Sequence, residues 1–341
     1  MSIVKKLTIP AESQRAVFGA NDKYKNLIEK TLDVKIITRG EEVSISDEQN
    51  AKIAHDAIGA LVKLSERFPI NTSDVVTAIE SSRRGEINKF LSLYEVEILK
   101  DVRGNPITLK SISQKAFVDS AKNHDVIFAV GAPGTGKTMI GVVLGVQALK
   151  EGLVETVVIV STTVENDEKL GFLPGDILEK VDPHMQPIYN CLDKILGVEK
   201  RTAWMQKGKI KVSPLAFQRG ITFDKSFVIL DEAQNTTVSQ MRMFLTRLGL
   251  DSKMVITGDP SQIDLPKWQK SGLVDAVELL ESLRKSGDID IIFFDDKDVI
   301  RHPLVGKISK LYGTRDKNDR EKAQVKNDVG AVPENNEVSD E

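Results

Sequence analysis

One eight-residue passage limits the fold of this chain more than any other. The apolar run Val126 to Val130 leads directly into Gly131-Ala132-Pro133-Gly134-Thr135-Gly136-Lys137-Thr138, which fits G-x-x-x-x-G-K-[ST] at every position, and helical sequence follows. The spelling has a physical cause. Glycines let the loop wrap so that successive backbone N–H groups face inward, and the helix starting near Lys137 adds its positive dipole end. Lys137 is placed to neutralise phosphate oxygens and the Thr138 hydroxyl to ligate Mg²⁺. Such a loop needs a strand before it, a helix after it and a sheet to sit on. From Ile107 to about Tyr312, short apolar strands at Val126 to Val130, Thr156 to Val160, Lys209 to Ser213, Phe227 to Leu230, Met254 to Thr257 and Ile289 to Phe294 alternate with amphipathic helices. Near-continuous apolar strands are those of a parallel sheet covered on both faces. The expected class is therefore α/β, a P-loop NTPase with a mostly parallel sheet.

The loop alone does not say what is done with the nucleotide. Phe227-Val228-Ile229-Leu230 runs into Asp231-Glu232-Ala233-Gln234, which puts two acids at the carboxyl end of a buried strand beside the P-loop. Asp231 is expected to hold Mg²⁺ and Glu232 to orient or deprotonate the attacking water. That second acid favours hydrolysis over transfer to a substrate hydroxyl, so a small-molecule kinase is disfavoured. After Met254 to Thr257 stands Gly258-Asp259-Pro260-Ser261-Gln262, whose Gln262 amide could bond the γ-phosphate and the attacking water. Upstream, Gln114 precedes the P-loop strand on a helix, where its amide could pair with an adenine edge. No guanine-reading N-K-x-D run occupies the place a GTPase requires, so ATP is the expected nucleotide, with Mg²⁺.

The remaining chain divides by pattern. Tyr24, Leu27, Ile28 and Leu32 recur at helical spacing, the alternating segment Val34 to Thr38 and a Gly40 turn follow, then a strand at Val43 to Ile45. Ser46 with Gln49 resembles a capping box ahead of a helix marked by Ile53, Ala57, Leu61 and Leu64. Residues 1–70 thus read as a small α/β domain, 71–106 as a helical and turn-containing linker, 107–312 as the ATPase domain, and 313–341 as a disordered acidic tail. The tail reads as a solubilising end, with competition for a basic groove as the alternative.

At 341 residues with 40% hydrophobic and 28% charged side chains, the chain needs no disulfide or metal to secure a core. No apolar run is long enough for a bilayer, and the beginning has no signal-peptide stretch. A single cysteine, Cys191, fits a reducing compartment, most simply the cytoplasm. Lys plus Arg (47) nearly balances Asp plus Glu (50), for a net charge of −3, so any nucleic-acid surface must be local. Trp268 beside Pro266, Lys267 and Lys270 is the better candidate for base stacking, a subunit contact being the alternative reading.

In the order Gln114, G-x-x-x-x-G-K-T, D-E-A-Q, G-D-x-x-Q, these pieces resemble the nucleotide half of superfamily-1 helicases. Longer runs resemble the PhoH-like ATPase family: Leu170-Gly171-Phe172-Leu173-Pro174-Gly175-Asp176, Pro214-Leu215-Ala216-Phe217-Gln218-Arg219-Gly220, Ile229 to Thr237, and Lys270-Ser271-Gly272-Leu273-Val274-Asp275. The resemblance covers about residues 107 to 312. More weakly, residues 15 to 68 look like the KH-like amino-terminal domain of longer bacterial members. It implies a cytosolic RecA-like ATPase that forms rings, hexameric by that resemblance, is tied to RNA metabolism and often works with the YbeY endoribonuclease.

Two departures bear on partners. Where family members usually carry Arg-Pro after the second sheet strand, this chain has Ser161-Thr162-Thr163. The nearest G-x-x-G candidate is Gly19-Ala20-Asn21-Asp22, which lacks the second glycine and ends in an acid that repels phosphate, so the small domain reads as an adaptor rather than an RNA clamp. Arg301, following the last sheet strand, is the expected γ-phosphate sensor, while Arg219 and Arg247, the latter on a helix over Ser239 to Leu248, are candidates for reaching a neighbouring subunit. A superfamily-1 enzyme places a second RecA-like domain across the nucleotide. Here half a cleft is expected per chain, so the next protomer of a ring would close the site.

Overall fold

Alternation along four of the sheet strands explains the central architecture. Ile127 and Ala129, Val157 and Ile159, Phe227 and Ile229, and Val255 belong to one apolar cluster, whereas Phe128 and Val130, Val158 and Val160, Val228 and Leu230, and Met254 and Ile256 belong to a second. Each strand therefore feeds both faces, as a sheet covered on both sides requires. The computed structural model describes residues 3–46, 49–162, 177–295, 298 and 299.

The chain opens with β1 (Ile3–Thr8), α1 (Ala11–Phe18), α2 (Lys23–Leu32), β2 (Lys35–Arg39), β3 (Glu42–Ser46) and α3 (Ala51–Ser65). The three strands form an antiparallel sheet in the order β1-β3-β2. The helix, two strands and long helix expected over residues 15 to 68 are present, and β1 and α1 precede them unforeseen. The expected capping box is not formed. Ser46 ends β3, and Asn50 stands at the start of α3, where its side-chain amide donates to Leu32 O at 2.8 Å.

Next come α4 (Thr72–Arg83), α5 (Ile87–Leu93) and a hairpin of β4 (Glu97–Lys100) and β5 (Pro106–Thr108). Serine and threonine make α4 a poor helix by propensity alone. A capping box at its start compensates: Asn71 Oδ1 accepts from the Ser73 and Asp74 amides, and Asp74 Oδ2 accepts from the Asn71 amide at 2.9 Å. Burial does more, since Val75, Ile79, Phe90 and Leu93 are all within 2% of complete burial, at about 1.5–3 kcal/mol for each large side chain. The stretch 71–106, read above as a linker, thus contributes its own apolar face to the cluster that includes α3 and one face of the large sheet.

The rest is built of α6 (Ile112–Asn123), β6 (Val126–Gly131), α7 (Lys137–Glu151), β7 (Thr156–Ser161), α8 (Ile177–Leu196), α9 (Val198–Gln206), β8 (Ile210–Pro214), β9 (Ser226–Asp231), α10 (Val238–Leu245), β10 (Lys253–Gly258), α11 (Gly272–Leu279), α12 (Glu281–Ser286) and β11 (Ile289–Phe294). All six expected strands are present, in one parallel sheet ordered β11-β6-β10-β9-β7-β8. This is the RecA-like P-loop arrangement anticipated from the motifs. Helix α7 is apolar nearly all round and lies against β7, β9 and β10 with α6 and α8 beside it, which makes it the central helix of the domain. Helix α10 ends at Leu245, so Arg247 lies beyond it. No described helix is long and apolar enough to cross a membrane. Arg301 and the 313–341 tail lie outside the described residues.

Candidate active site

Every parallel strand delivers its last residues to the same edge, and four of them build the site. Strand β6 ends in Gly131, whose backbone lies so close to β11 that a Cβ there would stand 1.9 Å from Phe294 O. Only glycine fits that approach. The loop then turns through Gly134 and Gly136, both at positive φ, and α7 starts at Lys137.

Lys137 is folded back on its own loop. Its Nζ donates to Gly131 O and Ala132 O at 2.7 Å each and lies 3.3 Å from Thr135 Oγ1. Burial pushes its pKa down, opposed by the negative charges of Asp259, Glu232 and Asp231. The ammonium thus sits where an incoming phosphate would take over bonds now made to carbonyls.

Strand β9 is not the immediate neighbour of β6, because β10 runs between them. Asp231 reaches the P-loop across that strand. Asp231 Oδ1 accepts from Thr138 Oγ1 at 2.7 Å and from Thr257 Oγ1, on β10, at 2.6 Å. Thr257 is fully buried and was not foreseen, since a hydroxyl in the run Met254 to Thr257 reads as an ordinary strand residue. Glu232 follows in the left-handed region at φ 55°, a conformation that a glutamate adopts only when its surroundings impose it. They do: Glu232 O accepts from Thr162 Oγ1 at 2.6 Å and from the Asn235 amide at 3.0 Å. Thr162, in the place of the family's usual Arg-Pro, is therefore an internal clamp on the turn.

The Glu232 carboxylate accepts from Gln234 Nε2 at 2.6 Å, while Gln234 Oε1 accepts from the Asp259 amide at 3.0 Å. One buried side-chain amide thus spans the ends of β9 and β10. Burial raises the Glu232 pKa, the Gln234 bond lowers it, and Asp231 and Asp259 add to the rise against Lys137. A carboxylate so placed is a better proton acceptor than an exposed one.

Asp259 is 5% exposed; its Oδ1 accepts from the Ser261 amide and hydroxyl, and its Oδ2 is buried without a hydrogen-bond partner among the described residues. A buried, unpartnered carboxylate oxygen is what a cation or a bound water would satisfy. Among the described residues no three His, Cys, Asp or Glu side chains converge as a self-sufficient metal site. Mg²⁺ does not require one, taking a few protein oxygens plus phosphates and water. Thr138, Asp231 and the free oxygen of Asp259 fit that requirement.

The other expected residues stand further out. Gln114 is 1% exposed and both ends of its amide are engaged: Oε1 accepts from the Lys110 amide at 2.8 Å, and Nε2 donates to Thr135 O at 2.9 Å. In this arrangement it braces the P-loop instead of presenting an edge to a base. Gln262 is exposed on the turn after β10, its amide bonded to Asp259 O at 3.0 Å. Arg219 is exposed beyond β8, four strands from β6 and so ~19 Å across the sheet at ~4.8 Å per strand. Arg247 lies at the opposite end of the sheet, where its carbonyl accepts from the Phe223 amide ahead of β9, and its buried Nε has no partner among the described residues. Trp268 is 82% exposed, but Lys270 beside it is held by Asp275 at 2.9 Å and Glu278 at 2.8 Å.

The profile of the PhoH-like protein family matches residues 106–313, which span the loop, both acids and every strand of the large sheet. A PhoH-like protein of Bacillus subtilis (strain 168) is 45% identical over 314 residues, covering 92% of this chain and 97% of that protein. A PhoH-like protein of Synechocystis is 37% identical over 90% of this chain and 93% of its own length. Protein PhoH of Escherichia coli (strain K12) is 33% identical over 87% of this chain and 78% of its own length.

Proposed function

Because the chain belongs to the PhoH-like family, a family of P-loop ATPases, we propose that it binds ATP with Mg²⁺ and hydrolyses the β–γ phosphoanhydride. The observation that carries this reading is the meeting of Thr138 with Asp231 at 2.7 Å, one residue before a half-buried carboxylate whose pKa is raised. Lys137 leaves its carbonyl partners for the β- and γ-phosphate oxygens. Thr138 and Asp231, with Asp259 nearby, would hold Mg²⁺, which would neutralise phosphate charge. Glu232 accepts the proton of the attacking water, and Gln234 fixes the carboxylate for that task. Gln262 and Arg301 are proposed to sense the γ-phosphate as the site closes.

Hydrolysis is proposed to drive RNA metabolism or the remodelling of an RNA-processing partner such as a YbeY-type endoribonuclease, in the cytoplasm and within a homo-oligomeric ring. The site's position at the carboxyl ends of the central strands supports the ring, since a neighbouring protomer there would reach the nucleotide and supply an arginine. The motif order supports superfamily-1-like action. A second reading, a slow ATP-gated scaffold without unwinding, is favoured by one feature: the loop between α1 and α2 carries Asp22 where a phosphate-gripping loop carries glycine.

The test is steady-state ATP hydrolysis across a dilution series that dissociates any oligomer, with and without single-stranded RNA. Specific activity that falls on dilution and rises with RNA supports the ring-shaped motor. Slow, RNA-indifferent turnover supports the scaffold. Failure to bind MgATP at all would overturn both.

A further inference from the structure

A second polar chain runs away from the P-loop, through the protein interior, to the helices that precede the ATPase sheet. It begins at Thr135, fully buried, whose carbonyl accepts from Gln114 Nε2 at 2.9 Å. The other end of that amide accepts from the Lys110 backbone at 2.8 Å. The Lys110 ammonium reaches Asp74 Oδ1 at 2.5 Å and Thr108 Oγ1 at 3.1 Å, and lies 4.8 Å from the centre of the Tyr94 ring. Tyr94 Oη donates to the same Asp74 oxygen at 2.8 Å. Asp74 Oδ2 closes the capping box of α4. Both carboxylate oxygens are thus committed, one to holding a helix and one to holding Lys110.

We propose that Asp74 is a positioning residue for the phosphate loop: acting through Lys110 and Gln114, it holds the Thr135 carbonyl, so that the α4–α5 segment sets the loop's shape and with it the affinity for nucleotide. This inference rests on the ATP-binding reading above, which assigns no role to any residue before Gln114.

Two features make the chain more than packing. First, its members are buried polar groups, Asp74 and Gln114 at 1% exposure and Tyr94 at 6%, and apolar side chains could have joined the same elements without any desolvation penalty. A buried polar network holds one geometry when every member is satisfied and loses it when one is removed. Second, it ends on the residue around which the loop is organised. Thr135 gives its hydroxyl to Ala132 O, lies 3.3 Å from Lys137 Nζ, and precedes Gly136, whose missing Cβ would stand 2.8 Å from Gln114 Nε2. The Gln114 amide therefore occupies space that only a glycine at 136 leaves open. Moving that amide moves the peptide immediately before the phosphate-binding lysine.

The experiment uses the full chain and two readouts. Binding of the non-hydrolysable analogue AMP-PNP with Mg²⁺ is measured by calorimetry for Asp74→Asn, Gln114→Leu and the double variant. Backbone amide exchange over 131–138 is followed in the nucleotide-free protein. Gln114→Leu should weaken binding by about tenfold, the loss expected for one buried hydrogen-bonded position, and Asp74→Asn by about threefold. The double variant should bind no more weakly than Gln114→Leu alone, because both act through one path. Loop amides should exchange faster in each variant, with those of β9 unchanged. Tyr94→Phe removes one bond to Asp74 without disturbing its charge, and should shift loop exchange in the same direction by a smaller amount, which keeps the test open if Asp74→Asn folds poorly. Additive losses of affinity, or loop exchange indifferent to all three substitutions, would overturn the proposal. A wild-type protein that bound no AMP-PNP would instead overturn the ATP-binding reading, and the exchange data would still decide whether Asp74 positions the loop.

Discussion

Two of the glycine-led turns that introduce helices, those before α7 and before α2, are built on opposite principles. The turn before α7 places glycine at its left-handed positions 134 and 136, buries a lysine within the loop and ends beside two strand-end acids. The turn before α2 begins at Gly19 with φ 77° but continues with Asn21 and Asp22 in the left-handed region, and Asp22 pairs with Lys25 at 3.4 Å on the surface. Both lead into the start of a helix. Only one surrounds that start with a buried lysine and two strand-end carboxylates. The positive end of a helix is a weak attractor, worth about 0.3–1 kcal/mol at an exposed site, and a neighbouring carboxylate cancels it. What makes the α7 turn a site is the buried frame behind it: Gln114 on the Thr135 carbonyl, Thr257 and Thr138 on Asp231, Gln234 on Glu232.

Removing chemistry from the first turn should give the largest effects. Glu232→Gln keeps the size and the neighbours of the side chain but cannot accept a proton. Turnover should fall by ~10²–10⁴, with MgATP affinity within a few-fold of wild type, as read by calorimetry alongside steady-state hydrolysis. Lys137→Ala removes the charge that meets the phosphates and should weaken MgATP binding by ~10–100-fold. Equal loss of binding in both variants would break the division of labour assigned to them.

Matched backbone substitutions sharpen the contrast. Gly19→Ala and Gly136→Ala each force an L-residue to a φ near 80°, and each puts a new Cβ 2.8 Å from a neighbour, the Tyr24 ring or Gln114 Nε2. Each should cost about 1–3 kcal/mol of stability, measured by denaturant melts. Only Gly136→Ala should also lower nucleotide affinity, because only there does the displaced neighbour hold the phosphate loop. A nucleotide effect from Gly19→Ala would mean that the small domain communicates with the site by a route other than Asp74.

The degree to which each turn could be read beforehand follows the same division. Strand ends and the P-loop are legible because their chemistry is confined to consecutive residues: the six apolar runs and G-x-x-x-x-G-K-T leave little choice. The frame is not, because its members are distant in sequence and ordinary in type. Thr257 is a β-branched residue in a strand, Thr162 follows a strand end, and Asp74 is one polar residue in a helix full of them. Gln114 was legible as a residue of the site, but its partner was not, since a side-chain amide serves a base edge and a loop carbonyl equally well. The start of α3 misled for a related reason. Ser46 and Asn50 are both good caps, and β3 pairs through Ser46, which leaves Asn50 to begin the helix. The edge strand β1 was missed because Lys5 and Lys6 interrupt its apolar residues.

The smallest expected effect belongs to Asp22→Gly, and it bears directly on what the α2 turn is for. Glycine relieves the left-handed strain at φ 56°, but it also enlarges the unfolded ensemble by about 0.5–1 kcal/mol and loses an exposed ion pair worth less than that. The terms nearly offset, so the denaturant midpoint should barely move. The informative measurement is retention of single-stranded RNA by the full chain. The substitution restores the second glycine of G-x-x-G and deletes the repelling charge, so an RNA clamp weakened by Asp22 would gain affinity several-fold. If the small domain is an adaptor, no such gain is expected, because restoring a glycine supplies conformational freedom without the buried donors that shape the turn before α7. A several-fold gain would erase the contrast between the two turns, and RNA binding would then be the function that Asp22 restrains.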